Sequence, residues 1–531
     1  MLASIASANL LGLQGRIIRV EVDVAPGLPG LTIVGLGDAA LHEARERVRG
    51  AIRNAGFVFP PRRITVNLAP AELRKAGSSL DLAIAIGILL GSEQIRAGRA
   101  GPALIGELSL GGEIRPVPGT LPMVGALVAR GLQRVVVAAV SAAEARLVPG
   151  ADVIPAETLG DAVAIVTAGR RTMRQPVQRD RVDLQVLVGS PSRSVAPRTG
   201  SSGQRPEPSA ATPDLAEVRG QSEARRALEI ALAGGHGLLL VGPPGSGKTL
   251  MARTIPGLLP DLGDDEALAA TTIRSVAGPE PVDALVRTPP FRAPHHTASY
   301  AAMIGGGPRM SPGEVTLADH GVLFLDELPE FSRDVLEALR QPLEEGWVAV
   351  SRVGRAVAFP ARFQLVAAMN PCPCGWAGSP DRTCHCRTGN ADRYVGRISG
   401  PLRDRIDLWV EMPRVPAAGM LAQVACESSA VVRARIARAR AVQRERPPGQ
   451  LNARVSATAL RYAGRLPPAA RSCLVELAER ERASGRGTDR MLRVARTIAD
   501  LAESPDITTT HLEEAARFRA PVDRVALRLA G

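Results

Sequence analysis

Lysine is almost missing from this chain. Of its 65 basic residues only Lys75 and Lys248 are lysines, so each position kept as lysine is a clue. No cysteine occurs before residue 372, and four of the six fall between Cys372 and Cys386, a pattern that excludes a disulfide framework and suits a metal site. Long apolar runs are absent as well. The longest, Leu82 to Leu90, is about half of the ~20 residues a membrane-spanning helix needs, and it reads as a buried helix. Met1 to Leu13 is apolar but lacks a basic leader and a clear cleavage site, so a secretory signal is not expected and the cytoplasm is. There is no repeat of solenoid length.

What remains is an ordinary soluble composition with an unusual charge. Hydrophobic residues make up 45% and charged residues 22%, which excludes global disorder, and 531 residues suggest two to four domains. The net charge of +12 favours a polyanionic partner such as nucleic acid.

Three blocks follow from the pattern. Residues 1–170 mix β-branched segments (Arg16 to Val24, Arg63 to Leu68, Arg134 to Val140) with helical ones, giving an α/β or α+β domain. Residues 171–212 are rich in Ser, Pro, Arg and Gly and read as a linker. Residues 213–420 alternate strands with helices, as a parallel sheet requires, and 421–531 read as helical.

The chemistry concentrates in the third block. The strand Leu238 to Val241 runs into Gly242-x-x-x-x-Gly247-Lys248-Thr249 and then a helix, the full phosphate-binding loop in its required context. Gly242, Gly245, Ser246 and Gly247 turn backbone N–H groups around phosphate, Lys248 supplies charge to the β- and γ-phosphates, and Thr249 is the natural Mg²⁺ ligand. Val322 to Glu327 is an apolar strand ending in two carboxylates. Asp326 can hold hydrated Mg²⁺, and Glu327 can serve as general base for an attacking water. A third strand ends at Asn370, whose amide can orient that water. Arg405 precedes another apolar strand and is the candidate for an arginine inserted at a neighbouring subunit's γ-phosphate, with Arg397 and Arg403 as nearby competitors.

In this order the motifs resemble an AAA+ ATPase. The stretches FRAPHHTAS (291–299), PGEVTLADHGVLFLDELPEF (312–331), NPCPCG (370–375) and RISGPLRDRIDL (397–408) resemble the magnesium-chelatase-like ComM/YifB family over nearly the whole chain. The resemblance implies an α/β AAA+ P-loop module with a helical lid, hexameric rings, ATP and Mg²⁺ as cofactors, and DNA branch migration in transformation and recombination. It makes Lys248 and Thr249 Walker A, Asp326 and Glu327 Walker B, Asn370 sensor 1 and Arg405 the arginine finger. Sensor 2 is then sought among Arg486, Arg490, Arg493 and Arg496, with Arg493 favoured.

Cys372, Cys374, Cys384 and Cys386 offer four soft ligands in a Pro- and Gly-rich loop, which suits a closed structural Zn²⁺ site, with His385 as a possible substitute ligand. Trp347 to Phe359 alternates like a hairpin with Arg352 and Arg355 at its tip, matching in position the DNA-gripping pore hairpin of related helicases. The six arginines between Val431 and Arg446 read as a solvated helix face. His295 and His296 lack a third ligand at helical spacing and read as structural or interface residues. Lys75 to Leu90 resembles the nucleophile segment of Lon proteases, with Ser79 at the serine position. The base lysine is missing, since Leu121 stands near its place, so a Lon-like α+β domain without peptidase activity is expected. The function expected is a DNA-remodelling motor. The alternatives are a chelatase-type motor acting on a porphyrin, a protease, and an ATP-dependent switch for protein partners.

Overall fold

The structure is a computed structural model. It describes residues 2–35, 38–70, 78–98, 101–168, 212–278, 281–307, 310–352, 355–380, 382–416, 426–456, 458–460 and 466–519. The linker expected at 171–212 lies outside the described residues except for Thr212, and Lys75 lies outside them too.

The first block is built on a four-stranded sheet ordered Leu2–Leu11, Gln14–Ala25, Arg63–Ala69, Gly30–Val34. The first three strands pair antiparallel and the last joins in parallel. The apolar start of the chain is thus an edge strand, paired residue by residue with the next. The run Leu82 to Leu90 forms the helix Asp81–Gly91, buried along nearly its whole length against this sheet, as its unbroken apolar sequence demands. A second, parallel sheet is ordered Ala103–Leu104, Arg134–Ala138, Asp152–Ala156.

The third block holds a five-stranded sheet ordered Phe291–Arg292, Val322–Leu325, Gln364–Met369, Leu238–Val241, Leu408–Glu411, parallel throughout. Apart from Gln364, its three central strands are continuous apolar runs, buried along nearly their whole length as strands of a parallel sheet are. The hairpin Trp347–Arg352 and Arg355–Pro360 stands between the second and third of these strands in sequence.

From Ser429 onward the described chain is largely helical: Ser429–Glu445, Pro468–Arg480, Gly485–Leu501 and Thr509–Arg517. Here the arginine-rich helix departs from expectation. Instead of a solvated face it supplies internal ties. Arg440 is buried and donates to the Leu232 carbonyl at 2.9 and 2.6 Å, and Arg435 reaches Glu229 at 2.5 Å and Glu427 at 2.7 Å. Arg433 pairs with Asp261, Arg444 with Glu266 and Arg446 with Asp500. The reason is packing: the helix docks on the core so that Arg440 meets the Leu232 carbonyl and Arg435 and Arg446 face the buried carboxylates Glu229 and Asp500, while Arg438 stays exposed.

The two α/β blocks meet at Glu144. This buried carboxylate accepts from the Leu121 N–H at 2.9 Å, the Ser275 hydroxyl at 2.5 Å and the Val282 N–H at 3.3 Å. No helix among the described residues is long and apolar enough to cross a membrane.

Candidate nucleotide site

All five strands point the same way, so their carboxyl ends converge on one edge of the sheet. There the chain leaving Val241 must turn tightly. A Cβ on Gly242 would stand 2.3 Å from the Met412 carbonyl, and Gly245 and Gly247 take φ values of +79° and +92°, which only glycine adopts without strain. Lys248 opens the following helix and folds back over the loop. Its ammonium donates to the Gly242 and Pro243 carbonyls at 2.6 and 2.9 Å and to the Asn370 amide oxygen at 3.2 Å. Burial pushes its pKa down to about 8, although Asp326 and Glu327 pull the other way. The buried Ser246 hydroxyl has no hydrogen-bond partner. A lysine engaged by its own loop and an orphaned hydroxyl beside inward-turning backbone are what a phosphate would satisfy.

Beside them Thr249 donates to Asp326 at 2.7 Å, which places two hard oxygen ligands together, the donor set Mg²⁺ prefers. Glu327 follows with a left-handed backbone (φ 54°, ψ 46°) and a half-exposed side chain. A non-glycine residue in that region marks a position held by its surroundings. Its carboxylate stands 3.4 Å from His296 Nδ1, a neighbour that sequence reasoning missed. No sequence signal marks it: both chains leave the sheet at its carboxyl edge soon after Arg292 pairs with Leu323, and the turn and loop that follow bring His296 to Glu327.

The arginines lie elsewhere. Arg405 precedes Leu408, which pairs with Leu238 at the start of the P-loop strand, so Arg405 stands at the amino ends of the strands and Lys248 at the carboxyl ends. A cleft of about 830 Å³ opens there, lined by Arg405, Arg486, Arg490 and Arg493 together with Gly237, Val322 and Gln364. Arg405 meets the Glu344 carboxylate, while its buried Nε has no hydrogen-bond partner. Burial, then the charges of Arg486, Arg340 and Arg490, push its pKa down. Arg490 donates to the Ile406 carbonyl at 3.2 Å and to Asp404 at 3.3 Å, and its Nε is also buried and unpartnered. Arg493, the favoured sensor 2, bonds the Val455 carbonyl at 2.9 Å and shares the Arg405 cleft, not the P-loop edge. Arg496 is buried against Asp500, Arg397 pairs with Glu330, and Arg403 is exposed.

The four cysteines do come together. Their sulfurs lie within 4.8 Å of one another, with Cys372 3.3 Å from Cys374 and 3.7 Å from Cys384, and Cys374 3.5 Å from Cys384. Tetrahedral zinc at ~2.3 Å from each thiolate would set the sulfurs about 3.8 Å apart, so the cluster fits the ion. Its loop rests on the phosphate loop: a Cβ on Gly375 would stand 2.5 Å from Pro244 Cδ. His385 is not in the cluster.

Arg352 and Arg355 are Cα partners that close the described part of their hairpin, and Val353 and Gly354 between them lie outside the described residues. Ser79 is buried just before the helix Asp81–Gly91, and its hydroxyl donates to the Ala8 carbonyl at 3.2 Å. Leu121 is buried and offers only its backbone N–H, to Glu144.

Comparison with known proteins identifies the family. Residues 214–420 match the family "Magnesium chelatase, subunit ChlI", residues 20–141 "Subunit ChlI of Mg-chelatase", and residues 426–519 "Magnesium chelatase, subunit ChlI C-terminal". The chain is 42% identical to the uncharacterized protein YifB of Escherichia coli over 523 residues, covering 98% of this chain and 97% of that protein. It is 40% identical to the competence protein ComM of Haemophilus influenzae over 525 residues, covering 98% of each. Similarity to the magnesium-chelatase subunit ChlI of Euglena gracilis is 26% over 157 residues, covering 25% of this chain and 45% of that protein. With an AAA+-like sheet, a complete phosphate loop and relatives of this kind along its full length, the chain belongs to the magnesium-chelatase-like ComM/YifB family.

Proposed function

We propose that the chain is a Mg²⁺-dependent ATPase that works as a homo-oligomeric ring, most simply a hexamer, and remodels branched or single-stranded DNA. The observation that carries the ring is the separation of the two halves of the site. The phosphate loop, Asp326, Glu327 and Asn370 gather at one edge of the sheet, while Arg405, Arg486, Arg490 and Arg493 gather at the other. Hydrolysis of a phosphoanhydride gains on the order of 10³ or more from an inserted arginine, so each half gains its complement from a neighbouring subunit.

In this reading Gly242, Gly245, Ser246 and Gly247 bind the phosphates through their backbone and hydroxyl donors, and Lys248 swings from its own loop to the β- and γ-oxygens. Thr249 and Asp326 hold Mg²⁺, which when bound neutralises charge on the transferring group. Glu327 takes the proton of the attacking water, Asn370 orients that water, and Arg405 from the next subunit stabilises the transition-state charge. Residues 426–519 act as the lid. The four cysteines hold a structural zinc that braces the loop behind Asn370. The first block serves binding or assembly as a Lon-like domain without peptidase activity, consistent with the Ser79 hydroxyl being engaged by backbone.

DNA is supported by the net charge of +12, by the Arg352–Arg355 hairpin and by the likeness to a competence protein. The test is the ATPase rate without DNA, then with single-stranded, duplex and four-way-junction DNA at one moderate salt concentration. Stimulation greatest with junctions is expected, followed by strand exchange in a branch-migration assay. Arg352→Ala with Arg355→Ala should reduce that stimulation and spare the basal rate. An ATPase indifferent to every DNA but accelerated by a porphyrin would instead favour the chelatase-type motor.

A further inference from the structure

We infer that His236 is a positioning residue for the arginine half of the site, clamping the segment that carries Arg405 to the helix that carries Arg493. The inference rests on the ring reading above, in which those arginines serve a neighbour's nucleotide.

His236 stands between the helix Ser222–Gly234 and the strand Leu238–Val241, and it is fully buried. A buried imidazole is costly unless both nitrogens find partners, and here both do. Nδ1 lies 3.1 Å from Asp407 Oδ2, and Nε2 lies 2.8 Å from Thr497 Oγ1. A carboxylate only accepts, so Nδ1 donates to Asp407, while the threonine hydroxyl on the other side can serve either way. Asp407 comes two residues after Arg405, and Thr497 comes about one helical turn after Arg493. One ring therefore joins two segments far apart in the chain.

The surroundings are shaped for this contact. A Cβ on Gly234 would stand 2.3 Å from His236 Nε2 and 2.5 Å from Thr497 Oγ1, so only glycine leaves room for the bond. Gln364 donates to the His236 carbonyl at 2.8 Å, and the Gly237 carbonyl accepts from the Asp407 and Leu408 N–H groups at 3.0 and 2.9 Å. On the helix side Asn452 donates to Thr497 at 3.0 Å and to Asp500 at 2.8 Å, which fixes the threonine. Arg405, Asp407 and Arg493 line the same cleft, and His236 acts on them through Asp407 and Thr497. Arg490 ties the same helix to Asp404 and Ile406, so loss of His236 loosens the arrangement without dissolving it. Loosening is enough, because a misplacement of ~1 Å costs a reacting constellation up to ~100-fold.

The test is ATP hydrolysis by His236→Gln and Thr497→Val, alone and in mixtures. His236→Gln keeps an amide toward Thr497 and loses the bond to Asp407, whereas Thr497→Val keeps the shape and loses the hydroxyl. Each should lower kcat about five- to thirtyfold, with ATP affinity within about twofold of wild type. Mixing either with Lys248→Ala, whose arginine half is intact, should restore activity above the sum of the parts. Mixing with Arg405→Ala, whose phosphate loop is intact, should not. A histidine that only supports the fold or the phosphate loop gives another pattern, so recovery with Arg405→Ala, or with neither partner, overturns the clamp. An unchanged kcat in both variants overturns it too. If His236→Gln does not fold, Thr497→Val carries the same test. Lys248→Ala mixed with Arg405→Ala is the separate control: its failure to recover sinks the ring reading and the clamp with it, whereas its recovery beside a failed His236 pattern sinks the clamp alone.

Discussion

The two edges of the five-stranded sheet are built on opposite principles. At the carboxyl edge the phosphate site is made of backbone: glycines bend the chain, Lys248 rests on its own loop's carbonyls, and one threonine and one aspartate supply a pair of hard oxygens. At the amino edge the site is made of side chains, with Arg405, Arg486, Arg490 and Arg493 among the eight arginines that line one cleft, and the Nε atoms of Arg405 and Arg490 left without hydrogen-bond partners. The first edge is specific for a polyphosphate by shape. The second mixes those arginines with carboxylates such as Glu344 and Asp404, and in the proposed ring it would act on a neighbour's nucleotide. The proposed ring predicts that each edge works only with a neighbour's complement, because neither edge holds both the phosphate loop and Arg405.

The sharpest way to break the comparison is to disable one edge at a time. Lys248→Ala should abolish nucleotide binding and turnover, whereas Arg405→Ala should bind ATP within about threefold of wild type and lose on the order of 10³ in kcat. Fluorescent-nucleotide titration and a coupled ATPase assay separate the two. Mixing the two dead variants should restore measurable activity, since an intact phosphate loop can then sit opposite an intact Arg405. Mixtures as inactive as their components would refute the division between subunits.

A smaller effect is expected at the cysteine loop. Protein purified without chelator should carry about one zinc per chain by metal analysis, and Cys384→Ser should lose it together with several degrees of Tm. Because Gly375 rests on Pro244, the same change should weaken ATP binding without touching the arginine edge.

The smallest effect is a proton. Burial holds the Lys248 pKa near 8, and a phosphate beside it must raise that value. Nucleotide binding between about pH 8 and 9.5 should therefore take up protons, and affinity should fall as pH rises above about 8. Calorimetry in two buffers of different ionisation enthalpy reads this directly. An affinity flat across that window would mean that the lysine is not desolvated before the nucleotide arrives.

The carboxyl edge was legible in the sequence because its groups are tied to strand ends by short spacings: Lys248 seven residues after Val241, Asp326 and Asn370 each directly after their strands. The amino edge was only half legible. Arg405 is marked by its place before a strand, but helical spacing could not say which way Arg490 and Arg493 face, because that depends on how the C-terminal helices dock on the core. The arginine-rich helix misled for a related reason. A charge run looks solvated unless one knows that Leu232, Glu229, Glu266 and Asp500 stand opposite.

By itself the sequence determined the phosphate loop, the carboxylate pair, the four thiols and the alternation that yields a parallel sheet, since each depends on residues near one another in the chain. Only the tertiary structure decided that the arginines gather at the far edge from Lys248, that His296 faces Glu327, and that the cysteine loop leans on the phosphate loop. Those contacts join segments brought together by strand order and helix docking, and burial, not local spacing, selects their partners.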